Sequence, residues 1–136
     1  MRVLAIDYGR ARIGLAISDP MGIIAQPLEV LKSRSRQDDI HYIRDLVAER
    51  EVERVVVGLP FNMDGTEGPQ AAETRRFADD LAKVLNVPID MWDERLTTFA
   101  AESAMLEADL SRAKRKQRRD MVAACMILRG YLDANG

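Results

Sequence analysis

The first apolar run of this chain constrains its fold most, because it ends in an acid. Val3-Leu4-Ala5-Ile6 is almost wholly apolar, as is typical of a strand buried on both faces of a sheet. Asp7 follows at once, and Gly9 allows both a sharp turn and the close approach of a ligand. The strand therefore delivers a carboxylate to one end of a sheet. That carboxylate either belongs to a site or caps a turn through its own side chain.

The rest of the pattern predicts a mixed α/β sheet. Residues 2–18 are expected to form a hairpin, and residues 23–31 a third strand that Pro27 places at an edge or a bulge. Helical spacing then alternates with short apolar strands. The later elements are expected at 37–51 (helix), 54–57 (strand), from Pro69 (helix), 89–92 (strand), from Thr97 or Thr98 to about Asp109 (helix), and from near Asp120 (helix). The order β-β-β-α-β-α-β-α-α predicts a five-stranded mixed sheet with helices packed on it.

Length and composition indicate one globular domain over residues 1–136. Cys125 is the single cysteine, which excludes an internal disulfide and favours a reducing compartment. No stretch approaches the roughly 20 apolar residues that span a bilayer. We therefore expect a cytoplasmic protein without a membrane partner.

Three acids share one kind of position in the predicted fold. Asp7 ends the first strand, Glu94 follows the fifth, and Asp120 is expected at the start of the last helix. Carboxylates brought together repel one another unless a cation neutralises them. With one His and one Cys in the chain, a zinc site of nitrogen and sulfur ligands is excluded, and oxygen ligation indicates Mg²⁺ or Mn²⁺. Two such ions about 3.5–4 Å apart can clamp the attacking and leaving oxygens of a phosphodiester.

The same residues also allow simpler interpretations. Asp120 would favour a helix N-terminus through the dipole alone. Glu94 would form a surface ion pair with Arg95 or Arg12. The neighbouring Asp93 is an alternative ligand in place of Glu94, and composition does not decide between the two acids.

Four segments, in this order, resemble the YqgF/RuvX family. They are Ile6-Asp7-Tyr8-Gly9 with Arg12–Ala16, Val57–Gly68, Asp93–Thr98, and Asp120–Ala124 followed by Ile127-Leu128. The family is described as Holliday-junction resolvases or nucleases of the pre-16S ribosomal RNA 5′ end. The resemblance implies a ribonuclease H-like fold, with Asp7, Glu94 and Asp120 as the catalytic, metal-binding acids.

The implied activity is metal-dependent, endonucleolytic hydrolysis of phosphodiester bonds, with pre-16S 5′-end processing in ribosome biogenesis as its main expected use. Two Mg²⁺ or Mn²⁺ ions are expected. The alternatives are a resolvase acting on branched DNA and a non-catalytic RNA-binding assembly factor. A further alternative is a nucleotide-binding domain of the actin or sugar-kinase type. Proteins of that class usually need a much longer chain, so a length of 136 residues argues against it. A four-way junction has two-fold symmetry, so a resolvase that cuts it should be a homodimer. RNA processing suits a monomer, and both oligomeric states therefore stay open.

Nucleic-acid contacts are expected at two segments besides Arg95. The Gly58–Gly68 loop leads into a helix N-terminus that can hold a phosphate, with Asn62 and Thr66 as side-chain contacts; alternatively it is only a shaped connection. Six of the 20 basic residues lie together in a predicted loop beside Asp120, in a chain of net charge −2. They would attract a phosphate backbone, or form a solvated face. These residues are Arg112, Lys114, Arg115, Lys116, Arg118 and Arg119.

Overall fold

A computed structural model describes residues 1–96 and 112–135 of the chain, with side chains described for residues 1–95 and 119–135. The helix predicted from Thr97 or Thr98 to about Asp109 therefore lies outside the described residues. The description covers all five predicted strands and three of the four predicted helices.

The five strands form one mixed sheet, as predicted. Its spatial order is β3-β2-β1-β4-β5. The first three strands pair antiparallel as a meander, whereas β1–β4 and β4–β5 pair parallel. The bounds are β1 Val3–Tyr8, β2 Arg12–Ser18, β3 Ala25–Lys32, β4 Arg54–Leu59 and β5 Ile89–Asp93.

The third strand lies at an edge of the sheet, as Pro27 predicted. Proline has no N–H to donate to a ladder, so it is tolerated where only one side of the strand is paired. Pro27 lies opposite Ala16, and the register of β2 and β3 shifts between Leu15 and Ala16. The edge and the irregularity therefore coincide at the proline.

Helices cover both faces of the sheet. Ser35 caps α1 (Arg36–Glu49), and α2 (Pro69–Ala82) begins with the predicted proline. Both helices contribute to one apolar cluster with β1, β2 and β4. The last helix, α3 (Arg112–Asn135), packs on the opposite face, where Ala124 and Leu128 meet residues of β1, β2 and β4. Among the helices that the structure describes, none is long and apolar enough to cross a membrane.

The start of α3 corrects the prediction for the basic segment. We expected a loop up to residue 119 and a helix from near Asp120, but the helix begins at Arg112. The segment contains Arg, Lys, Gln and Ala, which are good helix formers, and no Gly or Pro interrupts it. Asp120 consequently lies roughly two turns inside the helix. Because the effect of the dipole falls off within the first turn, a helix-start role no longer explains this acid.

Candidate active site

Asp7 lies on the face of β1 that α3 covers. Val3 and Ala5 of the same strand pack in the cluster with α3, and alternate residues of a strand share a face. Asp7 pairs across the sheet with Gly14 of β2. The first strand thus carries its carboxyl group to the end of the sheet, between the sheet and the last helix.

Glu94, the first residue after β5, forms a side-chain hydrogen bond with Asp7. Loss of solvent raises the pKa of Asp7 well above its usual range, and the negative charge of Glu94 raises it further. Desolvation also raises the pKa of Glu94. The structure therefore brings together two carboxyl groups that need a shared proton or a cation between them.

Gly58 of β4 makes room for this pair, because β4 lies between β1 and β5. A Cβ at this position would lie 2.7 Å from Glu94 Oε1 and 2.4 Å from Ile127 Cδ1. Real Cβ atoms do not approach other atoms so closely, and both contacts are with side chains on the α3 side. A Cβ at position 58 would therefore displace the ends of the Glu94 and Ile127 side chains from their present positions.

Asp93 has a different partner from Glu94. One of its carboxylate oxygens accepts from the Arg95 backbone N–H at 2.9 Å, and the other accepts from Arg95 Nη2 at 2.7 Å. These contacts lower the pKa of Asp93. Of the two neighbouring acids, it is Glu94 that meets Asp7.

Asp120 lies beside the pair but is engaged by Arg12. Arg12 Nε donates to Asp120 Oδ2 at 2.7 Å. The charge of Asp120 still adds to the rise in the pKa of Asp7. The sequence allows Arg12 as a partner of Glu94, whereas the structure pairs Arg12 with Asp120.

Gly14 explains how α3 comes close enough for this contact. A Cβ on Gly14 would lie 2.3 Å from the backbone oxygen of Asp120 and 3.6 Å from the Cβ of Ala124. A glycine within an apolar strand is typical of a place where another backbone approaches closely, and here that backbone is α3.

The donor set fits an oxygen-preferring divalent cation, although its shell is not preformed. Within residues 1–95 and 119–135, no three His, Cys, Asp or Glu side chains are grouped closely enough to hold a metal ion. Asp7 and Glu94 are nevertheless desolvated carboxyl groups in contact, and a divalent cation would replace the proton that they share. Asp120 would complete the set of ligands once the cation replaces Arg12 as its partner.

The loop after β4 is held by its own side chains. Asn62 Nδ2 donates to Thr66 Oγ1 at 3.0 Å, and this hydroxyl donates to Asp64 Oδ1 at 2.6 Å. Phe61 and Glu67 form an isolated antiparallel bridge. Asn62 and Thr66 are thus used to shape the loop, and their contact with nucleic acid stays a prediction.

Arg95 joins this loop to the end of β5. Its guanidinium lies over the Phe61 ring, 5.2 Å from the centroid, while it pairs with Asp93. A Cβ on Gly65, whose φ is +89°, would lie 3.5 Å from Arg95 Nη1. Arg95 therefore positions the loop near the acids instead of holding Glu94.

The structure describes the backbone of the basic segment, residues 112–119, and among its side chains that of Arg119. Residues 112–118 are the first two turns of α3, and Arg119 is exposed. Because Asp120 follows Arg119 directly in the same helix, the segment ends next to this acid. Its contact with nucleic acid stays a prediction.

Comparisons with known proteins find similarity along almost the whole chain. A family model described as "RuvX: Holliday junction resolvase" matches residues 1–134. A protein of Syntrophomonas wolfei named "Putative pre-16S rRNA nuclease" is 49% identical over 133 residues, covering 98% of this chain and 94% of that protein. A protein of Clostridium tetani with the same name is 52% identical over 134 residues, covering 98% and 97%.

Solved structures share the fold at low sequence identity. RuvC of T. thermophilus, in complex with a Holliday junction substrate, superposes with a TM-score of 0.63 at 18% identity, covering 99% of this chain and 96% of that one. A Fowlpox virus resolvase in complex with Holliday junction DNA gives 0.61 at 10% identity, covering 99% of both chains. These likenesses confirm the predicted ribonuclease H-like fold.

Proposed function

The chain belongs to the RuvX family of Holliday junction resolvases, and on this premise we propose that it is a metal-dependent endonuclease of structured nucleic acid. Processing of the pre-16S ribosomal RNA 5′ end, in the cytoplasm, is its main proposed role. The observation that carries the proposal is the pairing of Asp7 with Glu94 at the sheet end that also receives Asp120.

Asp7, Glu94 and Asp120 are the proposed holders of Mg²⁺ or Mn²⁺, in a site for two ions. When bound, such ions activate water for attack on phosphorus and stabilise the leaving oxygen. The Asp7–Glu94 pair gives up its shared proton on loading. Its desolvated setting strengthens the interaction of both carboxylates with any cation. No nucleophilic side chain is required.

The start of α3 supplies the proposed path for the phosphate backbone. At 3.6 residues per turn, positions 112, 116 and 120 follow one another along one side of the helix. Arg112 and Lys116 therefore occupy the same helical row as Asp120. Six basic residues without an acid would draw a polyanion towards the acids by charge rather than by base identity.

Neutralising this row should weaken nucleic-acid binding and its dependence on salt. For Arg112→Gln with Lys116→Gln, we expect the slope of log affinity against log salt to fall by about 2, one for each lost phosphate contact. Fluorescence anisotropy with a labelled RNA, at several salt concentrations, measures the slope. Lys83→Gln is the control, because Lys83 is exposed beyond the end of α2. An unchanged slope in the double variant would show that the basic row does not contact phosphate.

Two substrates remain in competition, since the relatives are named for pre-16S rRNA and the family for the Holliday junction. Purified protein should be incubated with a labelled pre-16S 5′ leader and with a synthetic four-way junction, with Mn²⁺, with Mg²⁺ and with EDTA. We expect metal-dependent cutting of the RNA. Cutting of the junction alone, by a dimer, would favour the resolvase. Binding of RNA without cutting of either substrate would favour an assembly factor.

A further inference from the structure

Arg12 forms an ion pair that the proposed function leaves unexplained. Its Nε lies 2.7 Å from Asp120 Oδ2, and the two side chains are 30% and 25% exposed. A pair that is partly buried is screened less by salt than a surface pair. A guanidinium thus neutralises one of the three carboxylates to which we assign the metal.

The backbone holds both partners in this position. Arg12 is the first residue of β2 and pairs with Lys32 of β3. Gly14, two residues later on the same face, touches the Asp120 backbone, which leaves no room for a Cβ. The ion pair is consequently part of the packing of β2 on α3, unlike a contact between two freely mobile surface side chains.

The acids at this edge are neutralised in three different ways. Asp7 and Glu94 form a hydrogen bond with each other, and Asp93 pairs with Arg95. Asp120 pairs with Arg12 of β2, the strand next to β1. A cation that uses Asp7, Glu94 and Asp120 must therefore displace a proton from the first two and a guanidinium from the third.

We propose that Arg12 is a built-in competitor of the divalent cation at Asp120. In the metal-free chain it neutralises and positions the Asp120 carboxylate. On loading, the guanidinium leaves this carboxylate and becomes available to another anion, such as a phosphate of the substrate. The inference rests on the proposed function, because it takes the three acids as the metal ligands.

Calorimetric titration of the full chain with Mn²⁺ tests the competition. Arg12→Gln removes the competing charge, so we expect this variant to bind Mn²⁺ about three- to fivefold more tightly than the wild type. This factor corresponds to the free energy of one ion pair. Arg12→Lys keeps the charge and should bind with near wild-type affinity. If Arg12 only supported Asp120 structurally, Arg12→Gln would bind Mn²⁺ more weakly. Should Arg12→Gln not fold, Arg12→Met keeps the aliphatic stem and carries the same expectation.

Arg54→Gln is the matched control. Arg54 Nη1 lies 2.7 Å from Asp90 Oδ2, and its side chain is 30% exposed, as for Arg12. It begins β4 beside Val3, at the opposite end of the sheet from Asp7. Arg54→Gln should leave the affinity for Mn²⁺ unchanged. Saturating Mn²⁺ should raise the midpoint of thermal unfolding more in Arg12→Gln than in Arg54→Gln or the wild type.

The outcomes separate this inference from the proposed function. Equal or weaker Mn²⁺ binding by Arg12→Gln, with the wild type binding and Asp7→Asn not binding, would overturn the role of Arg12 alone. If neither the wild type nor Arg12→Gln binds Mn²⁺, the metal site itself is contradicted, and the role of Arg12 falls with it. Tighter binding by Arg12→Gln, lost again in the double variant with Asp7→Asn, supports both.

Discussion

Asp7→Asn is expected to reduce metal-dependent cleavage by about 1,000-fold or more, because a bound metal supplies several kcal/mol of transition-state stabilisation and each tenfold in rate corresponds to about 1.4 kcal/mol. Asparagine has nearly the same shape as aspartate but cannot offer the negative charge. Single-turnover cleavage of the substrate identified for the wild type, with saturating Mn²⁺, measures the loss. Activity within tenfold of the wild type would remove Asp7 from the catalytic set.

The stability of the same variant distinguishes lost chemistry from a lost fold. The pKa of Asp7 is raised in the folded protein, so its ionisation opposes folding when no metal is bound. This destabilisation begins as the pH rises through the unfolded-state pKa and is complete above the folded-state pKa. Asp7→Asn, which cannot ionise, should therefore be at least as stable as the wild type at neutral pH in EDTA. Urea unfolding at several pH values measures the difference. If Asp7→Asn is less stable than the wild type, misfolding would explain its loss of cleavage.

Gly14→Ala is expected to lower both stability and activity. The added Cβ would lie 2.3 Å from the Asp120 backbone oxygen, and neither β2 nor α3 can relieve that contact by rotating a side chain. Overpacking of this kind costs about 1–3 kcal/mol in the free energy of unfolding. Because the shift moves the backbone that carries Asp120, the cleavage rate should also fall at temperatures where the variant is still folded.

Gly68→Ala is the matched substitution. Gly68 precedes α2 with φ −93° and ψ −170°, an extended conformation that alanine also adopts. Its Cβ would lie 3.3 Å from Asn62 Oδ1, at the end of a side chain that can shift slightly. We expect little change in the urea midpoint for Gly68→Ala. Equal losses in the two variants would contradict the close packing of β2 on α3.

The strands and two of the helices could be predicted because their signals are local. The apolar run before Asp7, Pro27 at an edge and Pro69 at a helix start each act within a few residues. The predicted start of α3 is wrong because a run of basic residues is not by itself a loop signal. Arg and Lys are good helix formers.

The partners of the acids could not be predicted in the same way. Whether Asp93 or Glu94 meets Asp7 depends on which side chain β5 turns towards α3 and which one Arg95 holds. The pairing of Arg12 with Asp120 joins residues 108 positions apart, and no local pattern encodes it. Gly58 can be recognised as part of the site only when the structure shows that the side chains of Glu94 and Ile127 pack against it.

The most direct measurement compares Glu94→Gln with Asp93→Asn in Mn²⁺-dependent cleavage of the pre-16S 5′ leader. The substitutions are adjacent and each removes one negative charge, but only Glu94 meets Asp7. We expect Glu94→Gln to abolish cleavage, whereas Asp93→Asn, which loses its ion pair with Arg95, should retain most of it. Cleavage by Glu94→Gln at the wild-type rate, or abolition by Asp93→Asn alone, would contradict the proposed catalytic set of Asp7, Glu94 and Asp120.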